Sequence, residues 1–161
     1  MAVGPFAEGL LMPLHEQSLM ALLKREGTRA RILEISLQLL DCIECIHNAG
    51  YVHCDIKPAN VMMSKNGSAT LIDFGFAHKY PTTWHKEGKE ICTKQKRFKG
   101  TWAFCSLRTA KQLEPSRRDD LESLLYMMMH LLEMDLPWVK QHMTPEERRL
   151  VMRDLKTKTT Y

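Results

Sequence analysis

Residues 29–48 constrain this chain more than any other segment. Ile32, Ile35, Leu39, Ile43 and Ile46 recur at intervals of three and four, and Leu33, Leu37 and Leu40 widen that apolar face. Glu34, Gln38, Asp41 and Asn48 line the opposite side. This is the period of an amphipathic helix, which must bury one face against other elements. Asn48-Ala49-Gly50 supplies its stop.

The neighbouring patterns are shorter. Leu10-Leu11-Met12 reads as a strand end, and Ser18 to Leu23 as a short helix stopping near Gly27. Val61-Met62-Met63 and Ala69-Thr70-Leu71-Ile72 read as strands. Asn66-Gly67 lies between them as a hairpin signal, because both residues tolerate positive φ. Leu121 to Leu132 is apolar nearly all round, which predicts a buried helix. Thr144-Pro145-Glu146-Glu147 is a helix start, with a capping Thr and Pro in the first turn, and this last helix runs towards Lys156. No internal repeat is present. The fold class is α+β, mainly helical, with a short β-hairpin.

Composition supports a globular domain or a piece of one. The chain has 161 residues, of which 44% are hydrophobic and 26% charged, which argues against disorder, collagen or a membrane protein. No run reaches the eighteen apolar residues of a membrane span. The net charge is +4, too small to imply nucleic acid. It is unevenly placed: between Phe76 and Lys99 seven Lys/Arg face two Glu, leaving the rest of the chain slightly acidic. From Gly75 to Gly100 there is no apolar period, which predicts a long exposed loop. The five cysteines are odd in number and the N-terminus has no secretory pattern, so a reduced intracellular setting, cytoplasmic or nuclear, is expected.

The chemistry concentrates in His53-Cys54-Asp55-Ile56-Lys57-Pro58-Ala59-Asn60 and, thirteen residues later, Asp73-Phe74-Gly75. Both acids stand where apolar strands give way to turns. A hairpin between them brings Asp55, Asn60 and Asp73 to one end of a small sheet. Two carboxylates and a carboxamide form a hard-oxygen site suited to Mg²⁺ carrying phosphate.

The pattern H-x-D-x-K-x-x-N followed by D-F-G resembles the catalytic loop and metal-binding motif of eukaryotic protein kinases. Gly100-Thr101, Ser116 to Ser123 (SRRDDLES) and Leu136-Pro137-Trp138 resemble the casein kinase I branch. His85-Lys86-Glu87-x-Lys89-Glu90 is more similar to the vaccinia-related kinases. The resemblance runs from about Leu10 to about Trp138. It implies a hinge at about 10–17, a catalytic loop at 53–60, an activation segment at 73–107 and a buried helix at about 119–132. It implies ATP and Mg²⁺ as cofactors and Ser/Thr of a protein as substrate, with acidic proteins among the candidates. Asp55 is then the residue that orients or accepts the substrate hydroxyl proton, Lys57 the cation beside the phosphoryl group, and Thr101 the hydrogen-bonding partner of both. Asn60 and Asp73 are the Mg²⁺ ligands, and Pro13 and His15 the hinge contacts to adenine, one through a carbonyl and one through an N–H. His53, Phe74, Gly75 and Asp120 are supports, with Asp120 fixing the catalytic-loop backbone.

The departures carry expectations too. Cys54 replaces the arginine that receives an activation-loop phosphate, so activity should not depend on that phosphate. Ala103 replaces a basic residue that binds primed substrates, and Leu125 replaces a glycine of the buried helix. No G-x-G-x-x-G, no V-A-I-K-like lysine and no preceding helix with a partner Glu occur in these 161 residues. The resemblance therefore implies the larger, C-terminal lobe with the N-terminal lobe absent. Weak ATP binding and negligible catalysis are expected of the chain alone, as a fragment or truncated gene model. A non-catalytic, pseudokinase-like binding or scaffold module is the alternative.

Other features have plainer readings. Cys42-x-x-Cys45 reads as two core or partly buried thiols, because no second pair follows. Met127-Met128-Met129 reads as core filling. The basic loop is a solvated run, an acidic-substrate dock or, least favoured because only Trp84 and Phe98 interleave it, a nucleic-acid contact. Arg117 and Arg118 are expected to serve structure by pairing with nearby acids.

Overall fold

The computed structural model describes residues 17–80, 98–134, 136–139 and 145–158. The Leu10–Met12 strand end, Thr144 and residues 81–97 of the basic loop lie outside them.

Two helices follow the first strand, β1 (Gln17–Ser18). Helix α1 (Leu19–Glu26) starts where Ser18 Oγ accepts the Ala21 N–H at 3.3 Å and stops at Gly27. A side chain at Gly27 would collide with the Leu23 carbonyl oxygen, so the stop needs glycine. Helix α2 (Arg29–Asn48) is capped by Thr28, whose Oγ1 accepts the Arg31 N–H at 3.1 Å. Both helices fall where the periodicity places them. Ile32, Ile35, Leu39 and Ile43 are buried, but Leu33, Leu37 and Leu40 are exposed. The widened apolar face is therefore only partly covered: at 100° per residue these leucines rotate away from the sheet and helix that α2 packs against.

The strand β2 (Tyr51–Val52) pairs antiparallel with β5 (His78–Lys79), joining Tyr51 to Lys79 and Val52 to His78. This ribbon corrects the reading of 75–100 as loop throughout. Two-residue strands are too short to show a period, and only the pairing defines them. A single 3₁₀ turn (Pro58–Asn60) leads into β3 (Val61–Met63), which pairs antiparallel with β4 (Ala69–Leu71). With β1 they form a three-stranded sheet in the order β1-β3-β4. The hairpin is present, but its turn is wider than Asn66-Gly67 alone. Ser64 N–H donates to Ser68 O and Gly67 N–H to Ser64 O, both at 3.0 Å. Gly67 adopts φ +83° and Asn66 does not take positive φ.

Helix α3 (Leu107–Ala110), which no sequence period announces, is capped by Ser106, whose Oγ accepts the Thr109 N–H at 2.9 Å. Helix α4 (Arg117–Leu131) begins at Ser116 with a capping box closed by Asp119. Leu124, Tyr126 and Met127 enter the core, whereas Leu121 and Leu125 are 45% and 46% exposed. The expectation of a helix buried all round is corrected by those two leucines, which share a face that no described residue covers. Helix α5 (Pro145–Lys158) starts at the predicted proline.

The core lies between α1, α2, β3, β4 and α4. Leu19, Ile35, Leu39, Ile43, Ile56, Val61, Met63, Met127 and Trp138 are its most deeply buried members. Each such side chain stabilises the fold by about 1.5–3 kcal/mol relative to exposure. Met128 and Met129 pack against this cluster, as core filling requires. Trp138 stands edge-on to Tyr126 at 4.8 Å and donates its indole N–H to Ala103 O at 2.9 Å. No described helix is long and apolar enough to cross a membrane.

Candidate active site

The site is built on a reversal of the chain between β2 and the 3₁₀ turn. Cys54 takes φ +68°, unusual for a residue with a β-carbon. What holds it there is Asp120, 1% exposed at the start of α4. Its Oδ2 accepts the His53 N–H at 2.8 Å, and its Oδ1 accepts the Cys54 N–H at 2.9 Å. His47 Nε2, at 2.8 Å from Oδ2, is the third donor. A buried carboxylate is tolerated when its lone pairs are filled in this way. Asp120 therefore contacts the loop backbone at the two residues before Asp55.

His53 ties the two motifs together. Its Nδ1 accepts the Asp55 N–H at 3.3 Å, which leaves Nε2–H to donate to Ile72 O at 3.1 Å. Its ring lies 5.0 Å from that of Phe74. Ile72 N–H in turn donates to Asn60 O at 2.9 Å. These bonds place residues 72–74 beside the loop 53–60.

Asp55, 3% exposed, is the centre of the polar cluster. Its Oδ2 accepts from Lys57 Nζ at 2.6 Å and from Asn60 Nδ2 at 3.2 Å; its Oδ1 accepts from Thr101 Oγ1 at 2.7 Å. Lys57 Nζ also donates to Thr101 Oγ1 at 3.2 Å. Asn60 Nδ2 makes a second bond to Asp55 O at 2.9 Å. Asp55, Lys57, Asn60 and Thr101 are thus brought together, and the bonds between Thr101 and both Asp55 and Lys57 are present. Thr101 reaches this position because Gly100, at φ +102°, lets the backbone lie against Cys54.

Asp73 stands apart from that cluster. It is exposed, at φ +65°, and its Oδ1 accepts the Gly75 N–H at 3.2 Å. The donor chemistry fits Mg²⁺. Two acceptors hold the Asn60 amide nitrogen, so its carbonyl oxygen is the end left for a cation. That oxygen and the open Asp73 carboxylate are hard ligands on segments joined by the Ile72–Asn60 bond. No group of three His, Cys, Asp or Glu able to hold a metal occurs among the described residues. Asn60 and Asp73 would supply two protein oxygens to such a cation, with phosphate and water left to fill its remaining positions.

The thiol of Cys54 stands at the position where the resemblance leads one to expect arginine. Burial pushes its pKa well above the ordinary 9.0, and the Asp120 carboxylate pushes the same way. It therefore supplies a neutral group there, not a cation. Cys42 is also raised, chiefly by burial, and Cys42, Cys45, Cys54 and Cys105 are free thiols.

Several site expectations fall elsewhere. Pro13, His15 and the rest of the hinge up to residue 16 lie outside the described residues, as do residues 85–90 and Cys92. Leu125 points outward, so it alters no packing in the described core. Arg117 donates from Nη2 to His47 O at 3.0 Å and lies 5.3 Å over the Tyr80 ring, so among the described residues it braces the loop locally and not through an acid. Arg118 donates from Nε to Ser116 Oγ at 3.2 Å. Three supports carried no expectation: His47, the His78–Glu114 pair at 2.7 Å, and Glu122, which accepts the Leu107 N–H at 2.8 Å and the Tyr126 hydroxyl at 2.7 Å. His47 had a signal, being a polar residue on the apolar side of α2. The other two pairings had none.

Comparison with known proteins places this geometry in a family. The protein kinase domain matches residues 10–160. Two probable casein kinase I homologs of Encephalitozoon cuniculi (strain GB-M1) are similar to the chain. One is 38% identical over 134 residues, covering 81% of this chain and 42% of the relative. The other is 36% identical over 137 residues, covering 83% of this chain and 45% of the relative. The chain thus spans less than half the length of the curated relatives it matches. With the kinase domain matched along nearly all of it, and with the D-F-G, Gly-Thr and SRRDDLES motifs standing at the site just described, the chain belongs to the protein kinase family and is casein kinase I-like within it.

Proposed function

We propose that this chain carries the phosphoryl-transfer site of an ATP-dependent protein serine/threonine kinase of casein kinase I type, and that the described residues are its larger, helical lobe. The observation that carries the reading is the buried Asp55 carboxylate, held between Lys57, Asn60 and Thr101 by bonds of 2.6 to 3.2 Å. A carboxylate so fixed can orient a substrate hydroxyl and take its proton without first reorganising. Lys57 stands where negative charge develops on the transferring group. Thr101 holds both in register. Asn60 and Asp73 would hold Mg²⁺, which supplies charge neutralisation of the phosphates when bound. Pro13 and His15 are proposed as the adenine contacts.

Ala103 offers no cation to a phosphorylated substrate, so recognition of primed substrates through that position is not part of the proposal. The four free thiols support a reducing, intracellular setting.

The test supplies what the relatives have in addition. The portion of an Encephalitozoon relative preceding its matched region is fused to this chain, and phosphate transfer from labelled ATP to a Ser/Thr-containing protein is followed. Asp55→Asn should lower the rate by roughly 10²–10⁴-fold. Thr101→Val should lower it and Thr101→Ser restore it. A folded, nucleotide-binding fusion whose rate is unchanged by Asp55→Asn would instead favour a non-catalytic scaffold.

A further inference from the structure

The Thr101 hydroxyl stays aimed at Asp55 only if the segment that carries it is held at both ends. Gly100 holds one end against Cys54. At the other end the chain closes a tight turn, in which Thr101 O accepts the Phe104 N–H at 3.1 Å and the Cys105 N–H at 2.9 Å. The turn runs into Ser106, which is fully buried. The Ser106 hydroxyl accepts the Thr109 N–H at 2.9 Å and donates its one proton to Asp119 Oδ1 at 2.6 Å. That length is typical of a hydrogen bond to an ionised carboxylate, which is roughly twice as strong as a neutral one.

Asp119 precedes Asp120 at the start of α4, and both are buried. Its Oδ2 serves the helix cap, accepting the Ser116 N–H at 2.7 Å and the Ser116 hydroxyl at 2.8 Å. The cap uses that oxygen alone, and caps of this kind work equally well at a protein surface. Two neighbouring carboxylates out of water oppose each other's ionisation. Capping therefore does not account for the burial of a second acid beside Asp120. The contact that requires it is the one from Oδ1 to Ser106.

These bonds close a circuit that begins and ends at Asp55. Thr101 Oγ1, 2.7 Å from Asp55 Oδ1, leads into the turn and so to Ser106. Ser106 leads to Asp119, and one peptide bond leads on to Asp120. Asp120 holds the N–H groups of His53 and Cys54, the two residues before Asp55. We propose that Asp119, acting through Ser106, is a positioning residue that sets the Thr101 hydroxyl on Asp55. Helix α4 then fixes both sides of that contact with two consecutive acids, Asp120 for the loop and Asp119 for the segment of Thr101. The catalytic consequence rests on the kinase reading of Asp55, whereas the geometric one does not.

The test reads Thr101 itself. The full 161-residue chain is labelled with ¹³C at its threonine methyls, and the Thr101 signal is identified by its loss in Thr101→Ser. Ser106→Ala and Asp119→Ala should each move that signal by more than its linewidth, and the double variant should move it no further than Asp119→Ala alone. Ser106→Cys, similar in volume and only a weak donor, should give the same reading if Ser106→Ala does not fold. Ser123→Ala removes another buried hydroxyl bond of α4, 2.8 Å to the Asp119 carbonyl oxygen, and should leave the signal in place because that bond lies outside the circuit. In the fusion described above, Ser106→Ala should lower kcat by roughly 10–100-fold with KM for ATP unchanged. A Thr101 signal unmoved in folded Ser106→Ala or Ser106→Cys, an equal shift with Ser123→Ala, or an unchanged kcat in an active fusion would each overturn the proposal. A fusion in which Asp55→Asn changes nothing fails the kinase reading instead, and the methyl shifts then decide the positioning role alone.

Discussion

Gly100 and Cys54 meet backbone to backbone: a β-carbon on Gly100 would lie 2.5 Å from the Cys54 carbonyl oxygen. Both residues have positive φ, +102° and +68°. Their contact carries the segment 98–101 against the loop 53–60, and it is what sets the Thr101 hydroxyl on Asp55 across 46 residues of sequence.

Gly100→Ala should therefore cost more than an ordinary surface change. The new methyl meets a carbonyl that cannot move without unseating Asp55, and its φ is one that alanine avoids. A loss of about 2 kcal/mol or more in urea-unfolding free energy is expected. An unfolding midpoint equal to that of the parent would mean that the two segments do not touch.

Asp120 is the second point at which the loop is fixed. Asp120→Ala leaves the His53 and Cys54 N–H groups and the His47 ring without their acceptor in a buried place, and should destabilise by about 3–5 kcal/mol. Asp120→Asn keeps one oxygen acceptor and should lie between. If both variants unfold at the parent's urea concentration, Asp120 does not anchor the loop.

The Cys54 thiol gives a pH dependence whose sign is determinate. Its folded pKa lies above the ordinary 9.0 because burial and Asp120 disfavour the thiolate. Below that value both states keep the proton and nothing changes. As pH rises through it the unfolded chain loses the proton first, so it binds fewer protons than the native chain and stability falls with rising pH. Cys54→Ser should flatten that alkaline decline in unfolding free energy. At neutral pH iodoacetamide should modify the exposed Cys45 well before Cys54, as peptide mass spectrometry after brief labelling would show. Faster labelling of Cys54 would contradict its burial.

The legible parts of the fold were those with local causes. Helix α2 follows from a period of three and four, α1 from Ser18 and Gly27, α5 from Pro145, and the β3–β4 pair from two apolar runs around a turn glycine. The β2–β5 ribbon and α3 were invisible because elements of two to four residues have no period to read. The leucines at 33, 37, 40, 121 and 125 misled in the same direction. A hydrophobic pattern states which face is apolar, but not how much of that face the rest of the chain can cover.

For the site, residue chemistry alone selected Asp55, Asn60 and Asp73 as oxygen ligands and the hairpin that brings them near. The parts assigned to Lys57, Thr101 and Asp120 came through family resemblance, since nothing in their local sequence points to a partner. Their partners lie far off: Asp120 reaches His53 N–H over 67 residues, and Arg117 reaches His47 O over 70. By itself, the sequence determined the elements whose spacing and turn residues act over one or two turns of chain, and the kinase motifs in their order. Only the tertiary structure decided which polar groups meet and that the Cys54 thiol is half-buried against Asp120, because proximity between distant residues is set by packing of the core and leaves no periodic trace along the chain.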